Sequence, residues 1–569
     1  MGAPGTPGTD RASDELELPA ATAASADGTT DRTPDGVAGT DDDRARRRPL
    51  TQVIAHRTQR LAGRPYGVVA STALGIVVLA MIGAVLGPAW DPAPMTDPLV
   101  PTSSSTAITG APALGAYDVR QRVVDVPLDG TTVQAQISEP VGASGPLPAV
   151  VFVHGAGTGK FSRAFVAQAR AFASHGIVTV VPDKRLDTYT TSHRDYVAMA
   201  ADYERSVELA RTLPGVDPDR VGVYAESEGA WIAPVMAAED QRLAFVVLVS
   251  APVVPPREQA AFAVDSYLRN TGVPRGVFRA IPRAVGALPG GGFEYADFDV
   301  TPYQRRMHQP VLVVYGTGDS SMPLVQGAEQ LLRDTAVAGG AGTTVRYYEG
   351  ANHGIRVGGE VLPEFLRDVS GWVLGLPGTA GAEPVIAGAQ PHQTYLAQPV
   401  PMPRWLSDGV VMILGILIAS GLVVVAGLAV PAGRLVERVR RRGTSGPAAS
   451  SPPVRRFARG TALGLAGLGA GSILTVVALA WYLVSIGRLA LDYQRNDLVV
   501  TGGWLFVRAL GIAVVVVGVL LVQRVRSVHL DGGVVAPGVL RSVVMWTVVA
   551  CSCVLLVVLA YWGVYQLGI

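Results

Sequence analysis

Five apolar segments constrain what this chain can fold into more than any other feature. Each is long enough for a helix to cross the roughly 30 Å hydrocarbon core of a bilayer, and they lie at residues 67–87, 409–433, 461–487, 504–523 and 542–565. Only 16% of the 569 residues are charged, which also favours a membrane protein over several soluble domains. We therefore expect five transmembrane helices.

The loops between these segments differ in charge, and the difference predicts their orientation. The loop at 434–460 contains eight arginines and that at 524–541 contains three, whereas the two arginines of 488–498 are balanced by Asp492 and Asp497. Arginine-rich loops remain in the cytoplasm, so the segment between the first and second spans should lie outside the cell and the amino terminus inside. Basic residues are nearly all arginine, a skew that suggests a GC-rich bacterial genome, so the predicted location is a bacterial plasma membrane.

Changes in composition divide the chain into six parts. These are a disordered cytoplasmic tail at 1–65, a transmembrane anchor at 66–88, a linker at 89–116, an α/β domain at 117–375, a second linker at 376–405 and a four-span domain at 406–569. Residues 252–309 interrupt the α/β alternation, and we interpret them either as a cap over the sheet or as an ordinary excursion of helix and loop. Both cysteines, Cys551 and Cys553, lie in the last span, which excludes a disulfide framework.

Short apolar runs alternate with helical patterns through residues 117–375. The predicted strands are 132–137, 149–154, 177–181, 220–224, 244–249, 311–315 and 343–348, and the predicted helices are 164–174, 194–212, 228–238, 324–334 and 360–373. Strand followed by helix, repeated, predicts a largely parallel sheet with helices on both faces. The carboxyl ends of parallel strands share one edge, where residues distant in sequence can meet.

The sequence VYAESEGAW, residues 223–231, places Ser227 on a predicted strand-to-helix turn. Such a turn is strained and needs small residues two positions before and two after the serine, so that neighbouring backbone can pass closely while the hydroxyl points outward. Ala225 and Gly229 occupy these positions, and the alanine departs from the usual glycine. Ser227 is therefore a candidate nucleophile, with an ordinary helix N-cap as the alternative.

Two further residues could activate Ser227. Asp319 follows the sixth predicted strand in YGTGDSSMP, and His353 follows the seventh in EGANHGI. The chain order serine, acid, histidine is one of the known arrangements of a catalytic triad. Alternatively Asp319 caps the following helix, in which case Asp297 or Asp299 would supply the acid.

A flexible loop with three glycines follows the second predicted strand in VFVHGAGTGK. Backbone N–H groups in such a loop can stabilise an oxyanion. We expect the N–H of Ala156 to be one donor and the N–H of Glu228 to be the second. The other loop residues assigned to the site are His154, Gly155 and Gly157. We expect His154 to hold the loop in shape rather than to act as a base.

Other interpretations of these residues are weaker. A phosphate-binding loop is excluded because His154 and Phe161 stand where that pattern needs glycine and a Ser or Thr. The side chains of Glu226 and Glu228 are either surface charge or a binding site for a cationic group of the substrate. Arg508 either extends to the membrane interface or is a functional intramembrane cation.

The strings HGAG, DKR, AESEGAWIAP, YGTGD and ANHG resemble the α/β-hydrolase superfamily, in particular its dienelactone-hydrolase and prolyl-oligopeptidase-like branch. The resemblance covers residues 120–375 and does not include the membrane spans. It implies a Ser-His-Asp hydrolase that acts on esters, thioesters or peptide bonds. It implies no metal and no organic cofactor.

We therefore expect a membrane-anchored serine hydrolase whose catalytic domain lies outside the cytoplasm. Its partners would be a small-molecule or peptide acyl substrate and the lipid bilayer, while the net charge of +1 gives no reason to expect nucleic acid. Two alternatives stay open. One is an acyltransferase on envelope lipids or glycans, and the other is a transporter or sensor whose outer domain only binds.

Overall fold

A computed structural model describes residues 50–286, 293–406, 408–443, 456–491 and 494–567. The chain divides into two compact units, residues 1–64 and 65–569. Residues 1–49, which belong to the predicted disordered tail, lie outside the described residues. The first helix, α1 (Leu50–Leu86), begins within the residues that the sequence analysis assigns to the tail.

Nine strands form one sheet in the order β1-β2-β4-β3-β5-β6-β7-β8-β11. The strands of this sheet are β1 (Val119–Leu128), β2 (Thr131–Pro140), β3 (Leu147–Val153), β4 (Val178–Pro182), β5 (Val216–Glu226), β6 (Val246–Val249), β7 (Val311–Gly316), β8 (Thr343–Tyr348) and β11 (Ile386–Gly388). β2 pairs antiparallel with β1 and with β4, and every other neighbouring pair is parallel. All seven predicted strands are present, and the sheet confirms the predicted α/β-hydrolase fold.

Helices cover both faces of this sheet because alternate residues of its central strands point to opposite sides. In β3, Val151 and Val153 belong to one buried apolar cluster, and Val150 and Phe152 belong to the other. The helices of this domain are α2 (Val166–His175), α3 (Tyr196–Thr212), α4 (Gly229–Glu239), α5 (Pro256–Asn270), α6 (Ala280–Gly286), α7 (Thr301–Gln304), α8 (Leu324–Val337) and α9 (Pro363–Gly375). The two clusters hold the sheet rigid, so its carboxyl edge can position side chains.

Three features of this domain were not predicted. β1 forms a long hairpin with β2, β11 pairs in parallel with β8 from within the predicted second linker, and β9 (Arg356–Val357) pairs with β10 (Glu360–Val361). The last predicted helix therefore begins at Pro363 and not at residue 360. Proline at the first position of a helix lacks an N–H that would be unsatisfied there anyway.

Five helices among the described residues are long and apolar enough to cross a membrane, as predicted. They are the Tyr66–Leu86 part of α1, together with α10 (Gly409–Gly443), α11 (Thr461–Leu491), α12 (Trp504–Leu530) and α13 (Val539–Tyr561). A π-helix at Leu498–Gly503 leads directly into α12, so the fourth span starts earlier than predicted.

The segment at 252–309 packs against one end of this helix bundle. Its described part consists of α5, a 3₁₀-helix at Arg275–Arg279, α6 and α7. The hydroxyl of Tyr267 on α5 donates to the carbonyl oxygen of Gln494 at 2.7 Å. A Cβ atom on Gly276 would lie 3.1 Å from the ring of Trp504, so these two segments of the chain are in close contact. We call this contact between α5–α6 and the bundle the junction.

Candidate active site

Ser227 lies on the turn between β5 and α4, where the sequence predicts a nucleophile. Its φ is +57°, in the left-handed region that costs an L-residue roughly 1–2 kcal/mol. The Ser227 N–H donates to the carbonyl oxygen of Val249 at 3.0 Å, which ties the turn to the end of β6. A strained serine at a strand-to-helix turn is the geometry of a nucleophile elbow.

Close approach of neighbouring backbone explains the small residues around Ser227. A Cβ on Gly229 would lie 2.6 Å from the carbonyl oxygen of Val153, and a Cβ on Gly155 would lie 3.2 Å from Cβ of Ser227. Ala225 is fully buried and pairs with Val153 and with β6. Alanine therefore fits where glycine is usual, whereas a larger side chain at Gly229 would push the elbow away from β3.

Asp319 and His353 are brought together at the carboxyl ends of β7 and β8. His353 Nδ1 lies 2.7 Å from Asp319 Oδ2, and the carboxylate is fully buried. Burial opposes ionisation of Asp319, but the imidazole charge and the hydrogen bonds outweigh it and lower its pKa. Burial likewise opposes protonation of His353, yet Asp319 and then Glu226 raise the pKa of His353 above its ordinary value.

Ser321 is a site residue that the sequence analysis missed. Its hydroxyl donates to Asp319 Oδ1 at 2.6 Å, and its backbone N–H donates to the same oxygen at 2.9 Å. These bonds leave Asp319 Oδ2 directed at His353. The only sequence signal was the serine pair after the aspartate in GDSS, which is too common to identify this role.

Neighbouring strand ends hold His353 at the same sheet edge as Ser227. β6 lies between β5 and β7, and the hydroxyl of Ser250, directly after β6, donates to the carbonyl oxygen of His353 at 2.7 Å. Glu226, next to Ser227, interacts electrostatically with His353. Among the described residues, Ser227 Oγ forms no hydrogen bond with His353. Hydrogen bonds between nucleophile and base often tighten only when substrate binds.

Two backbone N–H groups are available as oxyanion donors. Within the described part of the chain, neither the Ala156 N–H nor the Glu228 N–H donates to a protein acceptor. Ala156 is exposed on the loop after β3, and Glu228 is the residue after Ser227. Free donors on both sides of a serine are what a developing oxyanion requires.

His154 is buried beneath the loop after β3 and bonds to neighbouring segments. Its Nε2 lies 2.7 Å from the carbonyl oxygen of Pro182, its Nδ1 lies 3.2 Å from Thr158 Oγ1, and its backbone N–H donates to the Tyr203 hydroxyl. Burial lowers the pKa of His154 to about 4, so the ring is neutral at pH 7. The exposed Gly157 continues the same loop.

The interpretation of Glu228 as surface charge is wrong. Its side chain is 1% exposed, and its carboxylate accepts hydrogen bonds from Lys184 Nζ at 2.9 Å and from Arg194 Nη1. The hydroxyls of Tyr189 and Tyr196 complete its partners at 3.1 and 3.3 Å. The cations that Glu228 binds are therefore the protein's own, and its carboxylate is not available to a substrate.

Glu226 differs from Glu228 because it interacts electrostatically with His353 and Asp319. Burial raises the pKa of Glu226, and His353 and a 3.4 Å hydrogen bond from the Tyr224 hydroxyl partly offset the effect. A second carboxyl group beside His353 adds to the negative potential that favours the protonated imidazole.

The alternative acids have other partners. Asp297 is exposed and pairs with Arg257 Nε at 2.7 Å, while Asp299 accepts from the Thr301 N–H at the start of α7. Asp319 is thus the aspartate bonded to His353.

One group of carboxylates in the described chain, Glu204, Glu208 and Asp240, is close enough to share a metal ion. Arg211 already bridges them, at 2.9 Å from Glu208 and 2.6 Å from Asp240. Asp240 follows the far end of α4 from Ser227, about 16 Å away for an 11-residue helix. This group is an ion-pair network remote from Ser227.

A cavity of about 340 Å³ borders the Asp319 loop on the side of α5. Its polar lining includes Asp265 and Arg269 of α5, Thr317, and residues 392–395. Asp265 is buried and pairs with Arg269 Nε at 2.7 Å. The opposite face of α5 contributes Tyr267 and Leu268 to the junction.

No protein-family model and no curated protein matches this chain. Similar solved structures include an esterase from Pyrobaculum calidifontis (20% identity, 46% of this chain, 84% of that chain, TM-score 0.35) and a dienelactone hydrolase from Anabaena variabilis (17%, 45%, 96%, 0.31). A puromycin-hydrolyzing peptidase from Mycobacterium tuberculosis is similar at 20% identity, over 49% of this chain and 42% of that chain, with a TM-score of 0.34. At these values, function has to be inferred from this chain's own residues.

Proposed function

We propose that this protein is a membrane-anchored serine hydrolase that cleaves an ester, thioester or peptide-type acyl bond. The observation that carries the proposal is the buried Asp319–His353 pair, bonded at 2.7 Å, on the sheet edge that also holds Ser227 in a left-handed turn. The free N–H groups of Ala156 and Glu228 support it, because acyl transfer needs donors for the oxyanion.

In the proposed mechanism, Ser227 Oγ attacks the substrate carbonyl carbon while His353 Nε2 accepts the hydroxyl proton. The electron pair of the carbonyl moves onto its oxygen, which accepts from the N–H groups of Ala156 and Glu228. His353 then donates the proton to the leaving group, and an acyl-enzyme forms. Water repeats the sequence to release the acid, and Asp319 keeps the imidazole tautomer fixed throughout.

We also propose that the catalytic domain lies outside the cytoplasm of a bacterial cell. Eight arginines at 434–460 and three at 524–541 support this orientation, because arginine-rich loops are retained inside. The α/β domain lies between the first span and α10, so an odd number of crossings separates it from the first of those loops.

The proposal is tested by labelling the full-length protein in detergent with a fluorophosphonate probe, which reacts with activated serines. We expect labelling of the wild type, none of Ser227→Ala, and labelling slowed about 10³- to 10⁴-fold in Asp319→Asn, because the imidazole tautomer is lost. Ser174→Ala is the matched control, since the Ser174 hydroxyl only donates to the Ala171 carbonyl oxygen in α2. Equal labelling of wild type and Ser227→Ala would refute the nucleophile.

A further inference from the structure

Lys184 is a buried cation that the proposed mechanism does not use. It follows β4 in the string PDKR, is 3% exposed, and is one of only two lysines in the chain. Its ammonium group donates to two acceptors, the carbonyl oxygen of Gly155 at 2.7 Å and Glu228 Oε2 at 2.9 Å. Both acceptors belong to the two segments that carry the oxyanion donors.

The bond to Gly155 fixes the direction of the first donor. The Gly155 carbonyl and the Ala156 N–H belong to one planar trans peptide unit, in which C=O and N–H point in opposite directions. Because Lys184 holds the carbonyl on its own side, the Ala156 N–H must point away from Lys184. A Cβ atom built on Gly155 would lie 3.2 Å from Ser227 Cβ, so the Gly155–Ala156 peptide lies beside the proposed nucleophile.

The bond to Glu228 fixes the second donor through its own side chain. Glu228 supplies the other oxyanion N–H, and its carboxylate is anchored by Lys184, Arg194 and two tyrosines. Arg194 lies between the rings of Tyr189 and Tyr295, at 4.8 and 4.6 Å from their centroids. Glu228 therefore keeps partners without Lys184, whereas the Gly155 carbonyl has no other donor among the described residues.

We propose that Lys184 is a positioning residue that holds both donors of the oxyanion hole, with its main effect on the Gly155–Ala156 peptide. This inference rests on the proposed function. A neutral apolar side chain at 184 would free that peptide to rotate and would weaken stabilisation of the tetrahedral state, without removing the nucleophile, the base or the acid.

The test compares full-length Lys184→Met, Lys184→Gln and Lys160→Met by the rate of fluorophosphonate labelling and by the labelled fraction at saturation. We expect Lys184→Met to label about 10- to 100-fold more slowly per active site while the saturated fraction is unchanged. This loss is smaller than the 10²- to 10³-fold typical for removing a donor outright. Lys184→Gln should recover part of the rate, because its amide can donate to the Gly155 carbonyl.

Lys160→Met is the matched control, because Lys160 lies on the loop after β3 that also carries Gly155, pairs with Asp183 at 2.6 Å and is largely exposed. Its labelling rate should stay within twofold of wild type. A wild-type rate in Lys184→Met, or a loss that only follows the folded fraction, would overturn the positioning role. If Lys184→Met does not fold, Lys184→Gln carries the test: a labelling rate about 2- to 100-fold below wild type at an unchanged saturated fraction supports the role, and a rate equal to wild type or lowered beyond that range contradicts it. Absence of labelling in the wild type would instead contradict the proposed function, and this inference with it.

Discussion

Two buried cations, Lys184 at the sheet edge and Arg283 at the junction, differ in their hydrogen-bond partners. Lys184 donates to a carboxylate and to a carbonyl oxygen. Arg283, on α6, is fully buried and donates from Nη2 to the Gly83 carbonyl oxygen at 3.1 Å, but its Nε and Nη1 have no acceptor in the described part of the chain. Its guanidinium lies 5.0 Å from the centroid of the Tyr561 ring.

Burial lowers the pKa of both side chains, that of Arg283 to about 10. The two cations differ in whether their hydrogen-bond donors find acceptors. At the sheet edge the charge is paired and bonded, so it fixes backbone direction. At the junction, apolar contacts between α5–α6 and the bundle surround a cation that is incompletely satisfied, so packing must hold the two regions together.

The largest effect on stability is expected from removing Glu228, the carboxylate that pairs with Lys184. Glu228→Leu leaves Lys184 and Arg194 buried without their carboxylate, and breaking a buried pair in this way typically costs about 3–5 kcal/mol. The free energy of unfolding in detergent should fall by that amount. Glu294→Leu is the control, because Glu294 is exposed and, among the described residues, its carboxylate pairs with His193 alone, so a change within about 1 kcal/mol is expected. Equal effects of the two substitutions would contradict the comparison.

A second effect should follow from acidification, and it acts on the loop that Lys184 holds. His154 has a folded pKa of about 4 and an unfolded value of 6.5, so the unfolded chain binds more protons between these values. The contribution of neutral His154 to the free energy of unfolding is fully present above pH 6.5. It falls by roughly 3 kcal/mol as the pH drops to about 4.

This pH effect is measured as the difference between the stabilities of wild type and His154→Gln across pH 4 to 7. The difference cancels the other titrating groups, and it should shrink as the pH falls. A difference that stays constant over the window would show that His154 is not held neutral.

The smallest expected change in stability comes from Arg283→Met, which should be neutral or stabilising, whereas Glu228→Leu should destabilise. Arg283→Met replaces a cation that lacks two acceptors with an apolar side chain of similar length, and such changes are often neutral or stabilising. Stability should stay within about 1 kcal/mol of wild type or increase. Lys184→Met, measured in parallel, should destabilise, since it leaves Glu228 and the Gly155 carbonyl short of a donor. A loss above about 3 kcal/mol in Arg283→Met would show that the junction depends on this charge.

Much of the sheet edge could be predicted because its signals are local. Apolar runs marked β3 to β8, and the small residues around Ser227 reflect close backbone approaches that any elbow needs. β1 escaped prediction because polar and charged residues interrupt its apolar ones, and most of its side chains are exposed or half-buried. β11 has only three residues and is specified by pairing with β8, a contact between distant parts of the chain.

The roles of Lys184, Ser321 and Arg283 could not be predicted for a related reason. Each depends on which group lies opposite in space, such as a carbonyl oxygen 29 residues away in the case of Lys184. A lysine after a strand has no local pattern that distinguishes it from a surface lysine. The junction likewise depends on α5 meeting α11 and the segment before α12, which the hydropathy pattern of either region does not reveal.

α5 borders both the cavity beside the Asp319 loop and the junction. Its Asp265 and Arg269 line the cavity beside the Asp319 loop, while Tyr267 and Leu268 pack into the junction. A rigid helix cannot move on one side only, so a tilt of the spans would alter the width of that cavity. Any displacement of α5 on the side of the junction therefore also displaces the wall of the cavity that borders the Asp319 loop.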